Sequence, residues 1–173
     1  MINKRNLIGL FLLIITQVLW NNKTYSQAND SVPNILLIIA DDMGVDVTNG
    51  YHKGSLMPTT PTLDSLRDNG ILFENVWSAP SCTPTRASIM SGKYGIKTGV
   101  VSVPGNLDTS HVSLFNQLTS YSGGKYAGNV IGKWHISHPS KVAHPKYHGV
   151  SEYVGVLDAA VDDYENWQKT ENE

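Results

Sequence analysis

Cys82 is the only cysteine in the chain and stands in the stretch Ser81-Cys82-Thr83-Pro84-Thr85-Arg86. Pro84 suits the first turn of a helix, which puts the thiol at or just before a helix start. Such a start carries unpaired backbone N–H groups and the positive end of the helix dipole, so it receives anions. Arg86 lies one helical turn on and within reach of the thiol. A thiol-phosphatase loop needs a longer spacing between cysteine and arginine, so that reading fails. The alternative for Cys82 is a small buried apolar residue.

Two further groups carry chemistry. Asp41-Asp42 follow the aliphatic run Ile35 to Ala40. Paired carboxylates concentrate negative charge, which a hard cation such as Ca²⁺ or Mg²⁺ relieves. The alternative is an aspartate capping the next turn. In Gly132-Lys133-Trp134-His135, Lys133 and His135 share a face if a strand pleat persists. A cation beside a titratable imidazole suits an anionic substrate. The alternative is a solvated lysine and a structural histidine. His138, His144 and His148 are irregularly spaced, no cysteine or paired acid joins them, and they read as loop histidines.

The elements that must position these groups alternate in type. Ile35 to Ala40 reads as a strand buried on both faces. Residues 60–70 read as a helix, with Thr60 to cap, Pro61 at the first position and Asn69-Gly70 as the stop. Residues 71–78 read as a strand and 83–92 as a short helix ended by Gly92. Residues 111–124 read as another helix, and 125–135 as a strand running into a loop. This order predicts an α/β fold with a largely parallel central sheet and helices on both faces. That sheet places Asp41 and Asp42 at the carboxyl end of a strand, where ligands bind in open α/β sheets. Beyond His135 the pattern is loop-like, and residues 157–173 read as the beginning of a helix without a closing element.

The chain has 173 residues, 40% hydrophobic and 16% charged, which describes a globular protein with one core. Its 13 basic and 15 acidic residues are scattered, with no basic stripe for nucleic acid. Residues 1–28 read as a signal peptide: Lys4 and Arg5, an apolar run from Leu7 to Leu19, and a small-residue exit. That apolar run is short for a membrane span, so after cleavage no stable membrane insertion is expected. The implied location is periplasmic or secreted. A lone cysteine in an oxidising compartment reads as reactive or modified.

Three stretches, "PNILLIIADDMG", "SAPSCTPTRASIMSGKYGIKTGV" and "VIGKWH", in this order, resemble the N-terminal part of the type I sulfatases. The cysteine motif C-x-P-x-R-A-S is matched by Cys82, Pro84, Arg86, Ala87 and Ser88. The resemblance runs from residue 33 to 167. It implies an alkaline-phosphatase-like fold, incomplete in this chain, and a catalytic domain from residue 33 to 173 that is truncated. It implies that Cys82 is oxidised to formylglycine by a formylglycine-generating or sulfatase-maturating enzyme. The hydrated aldehyde then offers two hydroxyls: one attacks the sulfur of a sulfate ester, and loss of the other's proton releases sulfate. By the same resemblance Asp41, Asp42 and the modified position 82 are ligands of Ca²⁺, with Mg²⁺ as the second candidate. Arg86 orients and polarises the nucleophile, Lys133 contacts the hydrate and the sulfate oxygens, and His135 takes the proton. The substrate is then a sulfated small molecule or polysaccharide.

The family's remaining metal ligands and leaving-group acid lie downstream of residue 173. The resemblance therefore implies a fragment that is inactive alone. Two alternatives remain open: a phosphomonoesterase or phosphodiesterase of the same superfamily, against which the cysteine argues, and a non-catalytic fragment.

Overall fold

The computed structural model describes residues 32–161, 163, 165 and 169–171. The expected signal peptide lies outside the described residues. Among them, no helix is long and apolar enough to cross a membrane.

Helix α1, Pro61–Asn69, begins at its proline and ends at Gly70, as the sequence predicts. Helix α2, Cys82–Ser91, ends at Gly92 with φ of 64°, a left-handed cap that glycine adopts without strain. A single turn, α3 (Gly95–Thr98), follows. Helix α4, Leu114–Tyr121, opens on a capping box. Ser113 Oγ accepts from Asn116 N at 3.0 Å, and Asn116 Oδ1 accepts from Ser113 N at 3.4 Å.

Strand β1, Gly128–Lys133, pairs in parallel with β2, Val150–Val156. The connection between them holds the one-turn helix α5, His144–Tyr147. A two-residue strand, β3 (Thr170–Glu171), pairs antiparallel with β2, giving the order β1-β2-β3. The architecture is α/β, with parallel pairing at its centre. The core gathers Ala87 and Met90 of α2 with Val100, Leu107, Trp134, Ile136, Val150, Tyr153 and Leu157. α2 thus shares a core with Trp134 and Ile136, the residues on either side of His135 just beyond β1.

Several elements differ from expectation. Ile35 to Ala40 is neither paired nor buried: Leu36 is 84% and Ile38 73% exposed. Residues 71–78 form no strand either, and Trp77 is 92% exposed. Aliphatic runs express a local preference, but a strand exists only when its N–H and C=O groups find a neighbouring strand. Residues 150–156, expected to be loop, form β2, because Val150 and Tyr153 turn into the core. Residues 157–159 are bends and 160–161 have no regular structure, so no helix starts there.

Candidate active site

Cys82 is the first residue of α2, where the sequence placed it. Its half-buried Sγ lies 3.2 Å from Nδ1 of His135. The His135 ring is 6% exposed. Thr83 Oγ1, buried on α2, lies 3.5 Å from both ring nitrogens. The sequence reading passed over Thr83; its position beside Cys82 in the motif was the available signal.

Arg86, 7% exposed, occupies the next turn of α2. Its Nη1 donates to the carbonyl of Lys133 at 2.5 Å, and its Nη2 pairs with Asp41 Oδ1 at 3.4 Å. Lys133, the last residue of β1, donates from Nζ to Asp41 Oδ2 at 2.5 Å. Asp41 therefore bridges two cations, and the three side chains together carry one net positive charge. The hydrogen bond from Lys133 and the nearby Arg86 charge hold the Asp41 carboxyl below the usual aspartate range. Burial, reinforced by the Lys133 charge, pushes the His135 imidazole below its ordinary value, so it stands neutral at neutral pH and can accept a proton. Asp158 and Asp41 oppose that shift.

Lys133 and His135 do not share a face through an unbroken pleat. His135 has φ of 51°, left-handed backbone that redirects its ring towards Cys82. Backbone pairing continues past β1, with Trp134 N donating to Val156 O at 2.9 Å and His135 N to Leu157 O at 3.1 Å. Asp42, φ 55°, is exposed and makes no hydrogen bond or ion pair with this group among the described residues. His144 and His148 are not solvated loop residues: they are 2% and 0% exposed and pack on Trp134. His138 is exposed and bonds Ser140.

Among the described residues, no group of three or more His, Cys, Asp or Glu side chains is gathered closely enough to hold a metal ion. The Asp41 and Asp42 carboxylates are hard oxygen donors of the type that Ca²⁺ takes. A Ca²⁺ ion collects about 6–8 oxygens, so the pair matches such an ion in donor type and would fill only part of its shell.

Comparison with known proteins identifies the family. The sulfatase family profile matches residues 33–173. The chain is 33% identical over 148 residues to mouse arylsulfatase J, covering 82% of this chain and 24% of that protein. It is 32% identical over 147 residues to pig N-acetylgalactosamine-6-sulfatase, covering 78% and 27%. To human steryl-sulfatase it is 31% identical over 163 residues, covering 84% and 26%. The chain thus spans about a quarter of the length of these relatives. The crystal structure of Ps i-CgsB superposes on 75% of this chain and 29% of that one, with a TM-score of 0.63 and 29% identity. With a cysteine-headed helix facing a Lys-Trp-His strand end, and a profile match over the length from residue 33 onwards, the chain belongs to the sulfatase family.

Proposed function

We propose that the protein hydrolyses sulfate monoesters, aryl or carbohydrate, through a formylglycine made from Cys82. The contact between position 82 and the His135 ring, at the open end of α2, carries this reading. A maturating enzyme acting in the host's export route supplies the aldehyde, and the protein works in the periplasm or outside the cell. Family membership supports the first statement, and the signal-peptide pattern of residues 1–28 supports the second.

Each side chain has a task its surroundings suit. The start of α2, with the net positive Asp41–Arg86–Lys133 group, receives the sulfate oxygens as charge builds on them. Arg86 holds both the Lys133 carbonyl and Asp41, so one guanidinium, one helical turn on from position 82, fixes both residues. Lys133 reaches across to contact the hydrate and the sulfate. His135 accepts the proton from position 82, which its neutral state allows. Asp41 and Asp42, with the modified position 82, would hold Ca²⁺ or, second, Mg²⁺. When bound, that ion polarises the sulfate as a Lewis acid. The carboxylates gathered in these 173 residues supply only part of its shell, so the 173-residue chain by itself does not turn over.

The test compares aryl sulfate and aryl phosphate hydrolysis by the full-length protein purified from its own host. Sulfate ester cleavage that disappears in Cys82→Ala is the expected result. Phosphate cleavage that survives Cys82→Ala would make it a phosphatase of the superfamily instead.

A further inference from the structure

Trp134 sits between the two residues assigned to chemistry, and its side chain points away from them into the core, where it is 2% exposed. Its indole Nε1 donates to His144 Nδ1 at 3.0 Å. That contact fixes the tautomer. With Nδ1 accepting, the neutral ring carries its proton on Nε2, which donates to the Leu107 carbonyl at 2.8 Å. Leu107 N in turn donates to the Ile136 carbonyl at 2.9 Å. The chain of bonds leaves the backbone at Trp134 and returns to it at Ile136. His135 is the single residue it encloses.

Every member of this loop is buried: Trp134 and His144 at 2%, Leu107 and Ile136 at 0%. His135 itself has left-handed backbone, φ 51°, which an L-residue keeps only where its surroundings dictate it. That backbone is what aims the ring at Cys82, 3.2 Å away. Tyr153 and His148 close the aromatic packing round Trp134 at centroid distances of 6.2 Å.

We propose that His144 is a positioning residue: through Trp134 and Leu107 it clamps the backbone on both sides of His135 and so holds the His135 ring against position 82. The proposal rests on the sulfatase reading for its catalytic consequence. The clamp itself is read separately.

The test uses the full-length protein and three variants. His144→Phe keeps the ring volume and removes both hydrogen bonds. His144→Gln offers a carbonyl to Trp134 and an N–H to Leu107. Trp134→Phe removes the donor. A displacement of the base on the order of 1 Å costs about 100-fold, so His144→Phe is expected to lower kcat roughly 10- to 100-fold. KM stays within about twofold, since the sulfate-binding cations are untouched. His144→Gln restores most of kcat. The double variant His144→Phe/Trp134→Phe loses less than the product of the two single losses, because both changes remove the shared Trp134–His144 bond.

In parallel, hydrogen exchange of the Trp134 indole N–H is followed by NMR. Slow exchange in the wild type that becomes fast in His144→Phe and slow again in His144→Gln supports the clamp. Unchanged exchange or unchanged kcat in His144→Phe overturns it, as does His144→Gln behaving like His144→Phe. If His144→Phe does not fold, kcat of Trp134→Phe decides instead: a drop of roughly 10-fold or more supports the clamp and an unchanged kcat overturns it. A wild type that cleaves no sulfate ester sinks the sulfatase reading, and the exchange data then judge the clamp alone.

Discussion

The sulfur of Cys82 lies 3.2 Å from Nδ1 of His135, across 53 residues of sequence. Ala87 and Met90 of α2 share one core with Trp134 and Ile136, which flank His135 just beyond β1, and Arg86 bonds the Lys133 carbonyl, so the first turn of the helix meets His135. Around it, Asp41 ties Arg86 and Lys133 together.

Removing a cation from that group should reduce catalysis. Arg86→Ala and Lys133→Ala are each expected to lower kcat for sulfate ester hydrolysis by about 10²–10³. Steady-state kinetics of the full-length protein check this. A loss confined to KM would mean that both cations only bind the substrate.

Calcium affinity should depend on the two acids. Isothermal titration of the full-length protein is expected to show binding that weakens at least tenfold in Asp41→Ala and in Asp42→Ala, a lost carboxylate ligand costing roughly that much or more. Asp41→Ala also leaves Lys133 and Arg86 without their shared partner, so its melting temperature should fall further than that of Asp42→Ala. Equal calcium affinity in wild type and both variants would remove these residues from the metal site.

Stability should fall on mild acidification. Burial holds His144 down to about 4 against an ordinary 6.5, with the Leu107 bond and Asp108 opposing and His148 and Lys141 reinforcing. Above pH 6.5 the ring is neutral folded or unfolded, and the stability is fully present. Between 6.5 and 4 the unfolded chain takes up a proton that the folded chain refuses, which costs about 1.4 kcal/mol per pH unit. His148 and His135 are shifted the same way by burial and add to the loss. Asp41, lowered from 3.8, contributes stability that disappears only at more acid pH. Urea midpoints measured across this range should drop steadily. A flat profile would mean that the histidines are not buried.

The register of β1 on β2 should hinge on Gly155. It faces Gly132 across the pair, and a Cβ there would collide with the Gly132 backbone one residue before Lys133. Gly155→Ala is expected to destabilise by roughly 1–3 kcal/mol or more. Chemical denaturation checks it, and an unchanged midpoint would place the strands further apart.

The sequence revealed the site better than the sheet. Pro61, Gly70 and Gly92 mark helix ends through their own backbone preferences, so α1 and α2 were legible. Cys82, Arg86, Lys133 and His135 were legible as residue types in a motif. Their convergence depends on the core that α2 shares with the segment just beyond β1, and the left-handed turn at His135 replaces the expected pleat. The runs 35–40 and 71–78 misled because their strand character is local, whereas pairing is set by distant chain. His144 and His148 were hidden by the prolines and polar residues around them. Their burial is decided by Trp134, which no local pattern connects to them.

The most direct measurement is the mass of the tryptic peptide from Asp68 to Arg86, taken from protein made in its own host. Conversion of the Cys82 thiol to an aldehyde lowers that mass by about 18 daltons, and most of the peptide should carry the loss. A peptide bearing an intact thiol throughout would contradict the account.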